Sequence, residues 1–491
     1  MRIHSSLSAF TLTALCGAFL QQAPAKGRVT VGSETVEYFD YGDRWLDGKV
    51  YLLKDVDGFT PAPEAETGKF GGDPSKQAKA TGFFRVEKIN DRWWMIDPEG
   101  YAFVATGINE IGIGTSPATQ EEVDANIALL KANGFNVTHL SIEKRNRGVG
   151  ENKFEIPWCS EIMLTFFFLQ DNFNGDARVW NAPPFWDDAM IDYIDKRAEK
   201  NLAIHKDDPY LIGYFTDNEM KWRPDALDRY YDLFVNDEPY EVTGKGGGQA
   251  GQTYTVDPAK MKSYKIVGEW VEKNGFKPGA DGKFSEEAQM KFTEFMAEQY
   301  AKIVSEAVRK VDPNHLVMGG RNIRSDGKLP GMFKGFGKYF DVISMNYYAA
   351  WPADPVVLDT WAKWSGRPIM ITEFSAQSWE TIARKARDAW IVKTQEDRGK
   401  YYQNLMLSAL QNKNCVGTLW FCYRDFGDDA NYGIVNKDDE PYEEFLKYAR
   451  EINLNRYNLI DTLQKNPLDF SEVYDPLRNV NWSKPFEEFE L

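Results

Sequence analysis

Two glutamates in this chain of 491 residues stand where they can act on a single bond. Glu219 lies in "GYFTDNEMKW" and Glu373 in "PIMITEF", each at the end of a short apolar run. Cleaving a glycosidic bond with retention takes two carboxyl groups about 5 Å apart, one protonated to assist the leaving oxygen and one ionised to attack the anomeric carbon. A second Asn-Glu dipeptide, Asn109-Glu110 in "TGINEIG", repeats the pair found at Asn218-Glu219. The dipeptide alone does not choose between the two places. The elements that carry it must.

Those elements alternate. The runs "AFVATGI", "FNVTHLSI", "MLTFFFL", "LIGYFT", "HLVMGG", "DVISMNYY", "PIMITEF" and "VGTLWFCY" are short, continuous and rich in β-branched and aromatic residues, as strands buried on both faces are. Helical periods fall between several of them, over 121–133, 186–202, 286–310, 395–412 and 442–452. Strands and helices in this order predict a (β/α)8 TIM barrel over 81–455, longer than most because of an insertion at 236–283 after the fourth strand. An open doubly wound sheet is the second choice. It is disfavoured because no Gly-rich phosphate fingerprint opens a helix.

In such a barrel the chemistry collects at the C-terminal ends of the strands. Reading those ends in order gives Asn109 and Glu110, then His139, then Asp217, Asn218 and Glu219. Arg321 follows the fifth strand, Asn346, Tyr347 and Tyr348 the sixth, Glu373 the seventh, and Trp420 with Tyr423 the eighth. Carboxylates, amides and aromatics are the side chains of a sugar site, and strands four and seven face one another across the barrel. Glu219, flanked by Met220 and Trp222, is the expected general acid and base, its pKa raised by desolvation. Glu373, kept ionised by Tyr347 or Arg321, is the expected nucleophile. Trp222, Trp351, Trp379, Tyr348 and Tyr423 are candidate platforms for pyranose faces. Each residue by itself has a plainer reading, since a lone Glu is more often a surface ion pair and a Trp in a strand more often core. The coincidence of several at the ends of the right strands carries the argument.

Other chemistries find little support. His139 reads as a hydrogen-bonded core residue, and no HExxH or paired-cysteine pattern implies a metal or other cofactor. Cys159, Cys415 and Cys422 are too sparse for a disulfide framework and read as core thiols. A net charge of -16 argues against nucleic acid and weakly against densely sulfated or other polyanionic substrates.

The chain opens with a basic Arg2, an apolar run and Ala23-Pro24-Ala25, which together read as a secretory signal over 1–25. The run falls short of the roughly 20 residues that span a bilayer. Leu15 before Cys16 makes a poor lipoprotein box, so a secreted or periplasmic protein with no membrane in its mature form is expected. Residues 26–80 read as an N-terminal arm. "FFRVEKINDRWWMIDPEGYAFVATG" reads as a β-meander turning at Asn90-Asp91 and at Pro98-Glu99-Gly100, and 456–491 as a wrapping tail without sustained period.

The residues at the strand ends resemble those of clan A retaining glycosidases, whose acid/base follows an Asn on strand four and whose nucleophile ends strand seven. Asn218-Glu219 matches the first and Glu373 the second. That resemblance implies that Asn218 binds the sugar 2-hydroxyl, Tyr347 hydrogen-bonds the nucleophile, and Trp420 floors the subsite of the cleaved sugar. Within the clan, "FFRVEKINDRWWMIDPEGYAFVATGIN", "LIGYFTDNEMKW", "VDPNHLVMGGR" and "NYGIVNKDDEPY" resemble the β-agarases of glycoside hydrolase family 50. Membership implies hydrolysis of β-1,4 bonds in an agarose-type galactan, often exo-acting. A β-galactosidase, a β-mannanase or a non-catalytic sugar-binding barrel are the alternatives.

Overall fold

A computed structural model describes residues 32–39, 45–61, 66–381, 389–427 and 431–471. The expected signal at 1–25 and the end of the tail lie outside them. Nine parallel strands form one curled, TIM-like sheet in the order Leu316–Val317, Leu211–Phe215, Trp158–Glu161, Val137–Ser141, Ala105–Asn109, Cys415–Phe421, Ile369–Phe374, Ile343–Asn346 and Asn322–Ile323. The continuous apolar runs are explained by two separate buried clusters. Ala105, Val137, Cys159, Phe215, Met318, Met370 and Leu419 belong to one. Ile108, Leu140, Tyr214, Met345 and Ile371 belong to the other, together with the flanking helices. A strand with an apolar neighbour on each face has no reason to alternate.

The helices start where their first residues allow. Thr119 accepts from Glu122 N at 3.2 Å at the head of Gln120–Ala132, and Glu122 returns a bond to the Thr119 amide. Ser285 and Thr394 cap Glu286–Val311 and Gln395–Gln411 in the same way, each satisfying an amide that the helix leaves free.

Four elements differ from the sequence reading. The run "MLTFFFL" is not the third strand. That strand is Trp158–Glu161, and Phe166–Phe173 is a helix that starts where Asp217 Oδ1 accepts the amides of Thr165 and Phe166. A short apolar run has no period to tell strand from helix, so tertiary bonding decides. Second, the fifth strand is two fragments, Leu316–Val317 and Asn322–Ile323, broken where Gly319 takes φ +77°. Third, the tail carries a helix, Arg456–Lys465, that buries Tyr457, Leu459, Ile460 and Leu463. Fourth, the arm is not merely laid over the domain. Glu34–Phe39 pairs with Trp45–Val50 and with Trp390–Val392, and Trp390–Val392 pairs with Ala376–Ser378, two residues beyond Phe374.

The meander is as read. Arg85–Ile89, Arg92–Ile96 and Tyr101–Phe103 pair in sequence, Asn90 and Asp91 make the turn at φ +50° and +63°, and Asp73–Gln77 adds a fourth strand. In the insertion, Tyr240–Thr243 pairs with Thr253–Val256 and is followed by the helix Lys262–Asn274. Cys159, Cys415 and Cys422, the cysteines among the described residues, are free and buried.

Candidate active site

Three side chains at the C-terminal edge of the sheet are turned by an unusual backbone. Glu110, Glu219 and Arg321 have φ of +66°, +52° and +46°. A non-glycine residue in this region costs of order 1 kcal/mol or more, and such positions cluster where function demands a particular aim. The surroundings hold Glu219 there. Thr216 N and Glu219 N donate to the carbonyls of Gly319 and Gly320 at 2.8 and 3.1 Å. Asp217 is buried and accepts from Thr165 N, Phe166 N and the Tyr300 hydroxyl at 2.8, 2.9 and 2.8 Å. Burial pushes its pKa up to about 6 against the pull of those bonds. Asp217 therefore anchors the loop, leaving Glu219 to face the rim.

Glu373 ends Ile369–Phe374 and is nearly buried. Its Oε1 pairs with Arg321 Nη2, and its Oε2 accepts from the Tyr348 hydroxyl. Burial raises its pKa to about 7, the Arg321 cation opposes the rise, and the Glu219 charge adds to it. The Tyr348 hydroxyl, pushed well above its usual range chiefly by burial, stays a donor.

One amide links the two carboxyl groups. Asn346 Nδ2 donates to Glu219 Oε1 at 2.8 Å and lies within hydrogen-bonding reach of Glu373, favouring its charged form. Thr372 Oγ1 donates to Asn346 Oδ1 at 2.9 Å, which fixes which end of the amide faces the carboxyls.

Arg321 ties four strands together. Nη1 donates to Glu161 Oε2 and His139 Nε2 at 3.0 and 3.1 Å, and Nη2 to Asn109 Oδ1 at 2.8 Å. Burial, then Arg321, pushes the His139 pKa far down, so the ring is neutral and its proton sits on Nδ1, away from the guanidinium. Asn109 Nδ2 also donates to the Thr372 carbonyl at 2.8 Å. Asn109 is therefore packed inside the mouth, while Glu110 is half-buried and ion-paired with Lys144. Among the described residues, no group of three or more His, Cys, Asp or Glu side chains is arranged to hold a metal ion.

No family model matches the chain. It is 25% identical over 482 residues to β-agarase B of Vibrio sp. (strain JT0107), covering 78% of this chain and 49% of that protein. It is 26% identical over 294 residues to β-agarase A of the same strain, covering 53% and 28%. The chain spans about half the length of the first of these relatives. Among solved structures, BpGH50 superposes with a TM-score of 0.74 at 24% identity, covering 90% of this chain and 98% of that one. An exo-beta-agarase superposes at 0.63 and 20% identity, covering 83% and 69%.

The chain is β-agarase-like. The solved structures carry the fold, and the sequence likeness to β-agarase B covers 78% of the chain.

In this β-agarase-like chain several expected platforms prove to be core. Trp222 is buried against Tyr300 and Phe336 at 5.4 and 4.9 Å, and Trp351 against Tyr38 and Tyr401 at 5.0 and 5.5 Å. Trp420 is wholly buried against Phe374 and Phe445, its Nε1 donating to the Tyr432 carbonyl. A strand side chain one residue earlier or later points to the opposite face. Phe421 is accordingly the half-buried ring, 6.4 Å from Tyr348. The same shift corrects the tyrosine. Tyr347 is buried against Trp361, its hydroxyl accepting from Asp354 N at 3.1 Å, and Tyr348 holds Glu373. Tyr423 is also packed, donating to Asn126 Oδ1 at 2.8 Å. Trp379 remains 43% exposed, beside Phe39 and Trp45 of the N-terminal hairpin. Asn218 is half-buried, and its buried Oδ1 has no protein hydrogen-bond partner.

The sequence reading missed Glu161, because the third strand was assigned to the wrong run. It named Asn346 at the rim without giving it a role. Phe426, 59% exposed and 5.7 Å from Phe421, carried no periodic signal at all.

Proposed function

We propose that this chain is a secreted, retaining glycoside hydrolase on an eight-unit (β/α) barrel whose fifth strand is split, and that it cleaves β-1,4 bonds of an agarose-type galactan. The observation that carries the reading is the asymmetry of the carboxyl pair. Arg321 and Tyr348 hold Glu373, while the amide of Asn346 donates to Glu219. Where the two carboxyl groups share one proton, the guanidinium draws the negative charge to Glu373. Glu219 keeps the proton.

Glu373 then attacks the anomeric carbon as Glu219 gives its proton to the departing glycosidic oxygen, forming a glycosyl ester. Glu219, now ionised, takes a proton from water as that water attacks the same carbon and frees Glu373. Asn218 Oδ1 accepts the sugar 2-hydroxyl, and Phe421 replaces Trp420 as the ring beneath the cleaved unit. Trp379 extends the apolar rim. The β-agarase likeness supports galactan as the substrate class, and the acidic charge balance is compatible with a neutral polymer. The segment 1–25 serves as the export signal. Among the described residues no helix is long and apolar enough to cross a membrane.

The test is product analysis after incubation with agarose, porphyran, carrageenan and mannan, using the wild type with Glu219→Gln, Glu373→Gln and Glu110→Gln. The first two variants are expected to lose about three orders of magnitude or more in kcat with unchanged melting curves, and the third to weaken binding at most. Near-normal turnover in either of the first two sinks the assignment, and a loss in Glu110→Gln as deep as in Glu219→Gln means the other dipeptide is the working one.

A further inference from the structure

Glu161 takes no part in the reaction above, yet it shares a cation with the nucleophile. Its Oε2 accepts from Arg321 Nη1 at 3.0 Å, while Nη2 of the same guanidinium pairs with Glu373. His139 Nε2 lies 3.9 Å from the Glu161 carboxyl and is neutral, so it offers no second positive charge. The other acidic groups facing Glu161 are Glu110, paired with Lys144, and Glu143, paired with Arg197. Around Glu373 stand Glu219, Tyr348 and Asn346. One guanidinium therefore lies between two carboxyl groups, the buried Glu373 and the half-buried Glu161, and pairs with both.

We propose that Glu161 is a positioning residue that sets the charge on Glu373 by competing for Arg321. This rests on the retaining reading given above. While Glu161 holds a proton, the full cation is left to Glu373, which ionises and becomes nucleophilic. When Glu161 ionises it draws on the same cation and adds a like charge nearby, which makes the charged form of Glu373 harder to keep. Burial pushes both carboxyls up to about 7, so their titrations fall in one window and are coupled.

The decisive measurement does not use turnover. The full-length protein is labelled with a water-soluble carbodiimide and an amine across pH 4.5–9, and the modification of Glu161 and Glu373 is followed by peptide mass spectrometry. In the wild type, the labelling of Glu161 and Glu373 is expected to fall across one shared window around pH 7, each curve broadened by the other group. In Glu161→Gln, the labelling midpoint of Glu373 is expected to fall by about one pH unit, the size of a single nearby charge in a buried site. The acid limb of kcat/KM on agarose is expected to move down with it. A packing role would instead lower activity at every pH and leave the limb in place. Glu161→Asp, which keeps the charge but withdraws it from Nη1, is expected to shift Glu373 the same way by less.

An unmoved or raised Glu373 midpoint overturns the proposal, as do mutually independent single-proton labelling curves for Glu161 and Glu373 in the wild type, which can be read even where the variants fail to fold. Absence of agarose cleavage by a wild type whose Glu373 midpoint does respond to Glu161 overturns the assigned reaction and leaves the coupling standing.

Discussion

Replacing the hydroxyls of Tyr347 and Tyr348 one at a time separates two adjacent residues that sequence alone cannot rank. Tyr348 donates to Glu373 Oε2, a hydrogen bond from a neutral donor to a charged acceptor in a nearly buried site. Such a bond contributes about 1.5–3 kcal/mol. Tyr348→Phe is therefore expected to lower kcat about 10- to 150-fold, at about 1.4 kcal/mol per tenfold. Because the lost donor favoured the charged form, the Glu373 pKa rises further from about 7, and the acid limb of the pH profile moves to higher pH. Tyr347 is buried against Trp361, and its hydroxyl accepts from Asp354 N ahead of the helix Pro355–Ser365. Tyr347→Phe is expected to cost about 1 kcal/mol of stability and to leave kcat within about twofold. Steady-state release of reducing ends, with melting curves for both variants, reads the two effects. Equal losses of kcat in the two variants, or a loss confined to Tyr347→Phe, refute the reasoning.

The two tryptophans divide in the same manner. Trp222→Ala is expected to destabilise by about 3–5 kcal/mol by opening a cavity in the packing around Tyr300 and Phe336, seen as a lowered melting temperature. Trp379→Ala is expected to leave the melting temperature unchanged and to raise KM for polymer more than for short oligosaccharides, and an unchanged KM removes Trp379 from the substrate path. Stability should also fall with rising pH. Burial pushes Glu161 and Glu373 up to about 7 and Asp217 to about 6, all above their ordinary values, so between about pH 4 and 7 the folded chain binds more protons than the unfolded one. Their contribution is complete below the ordinary carboxyl range and is lost as pH rises through those values. Scanning calorimetry should show a melting temperature that declines from pH 5 to 8, with a shallower decline in Glu161→Gln, and a rise across that interval contradicts the account.

What the sequence made legible was whatever repeats with the period of an element. Buried parallel strands and amphipathic helices announce themselves in runs, and runs locate strand ends well enough to bring Glu219, Glu373, Arg321 and Tyr348 to one rim. The errors fall where a single residue of register decides the outcome. Along a strand, neighbouring side chains point to opposite faces, so Trp420 and Phe421 exchange roles on a shift of one. Just past a strand end the same holds for Tyr347 and Tyr348. Larger aromatic volume drew attention to Trp222 and Trp351, but size favours the core as readily as it favours a sugar platform.

A second kind of error comes from backbone conformation that no period encodes. Glu110, Glu219 and Arg321 turn into the left-handed region at the ends of their strands, and for Glu219 the turn is supported by bonds to Gly319 and Gly320 from the break in the split strand. An ideal strand would have carried Arg321 onward in the ladder. The break instead releases it to reach Asn109, His139, Glu161 and Glu373 at once. The irregular fifth strand, which weakened the expected eightfold pattern, is thus the feature that makes the carboxyl pair unequal. Regular elements make the rim, and the interruption supplies the positive charge that distinguishes Glu373 from Glu219.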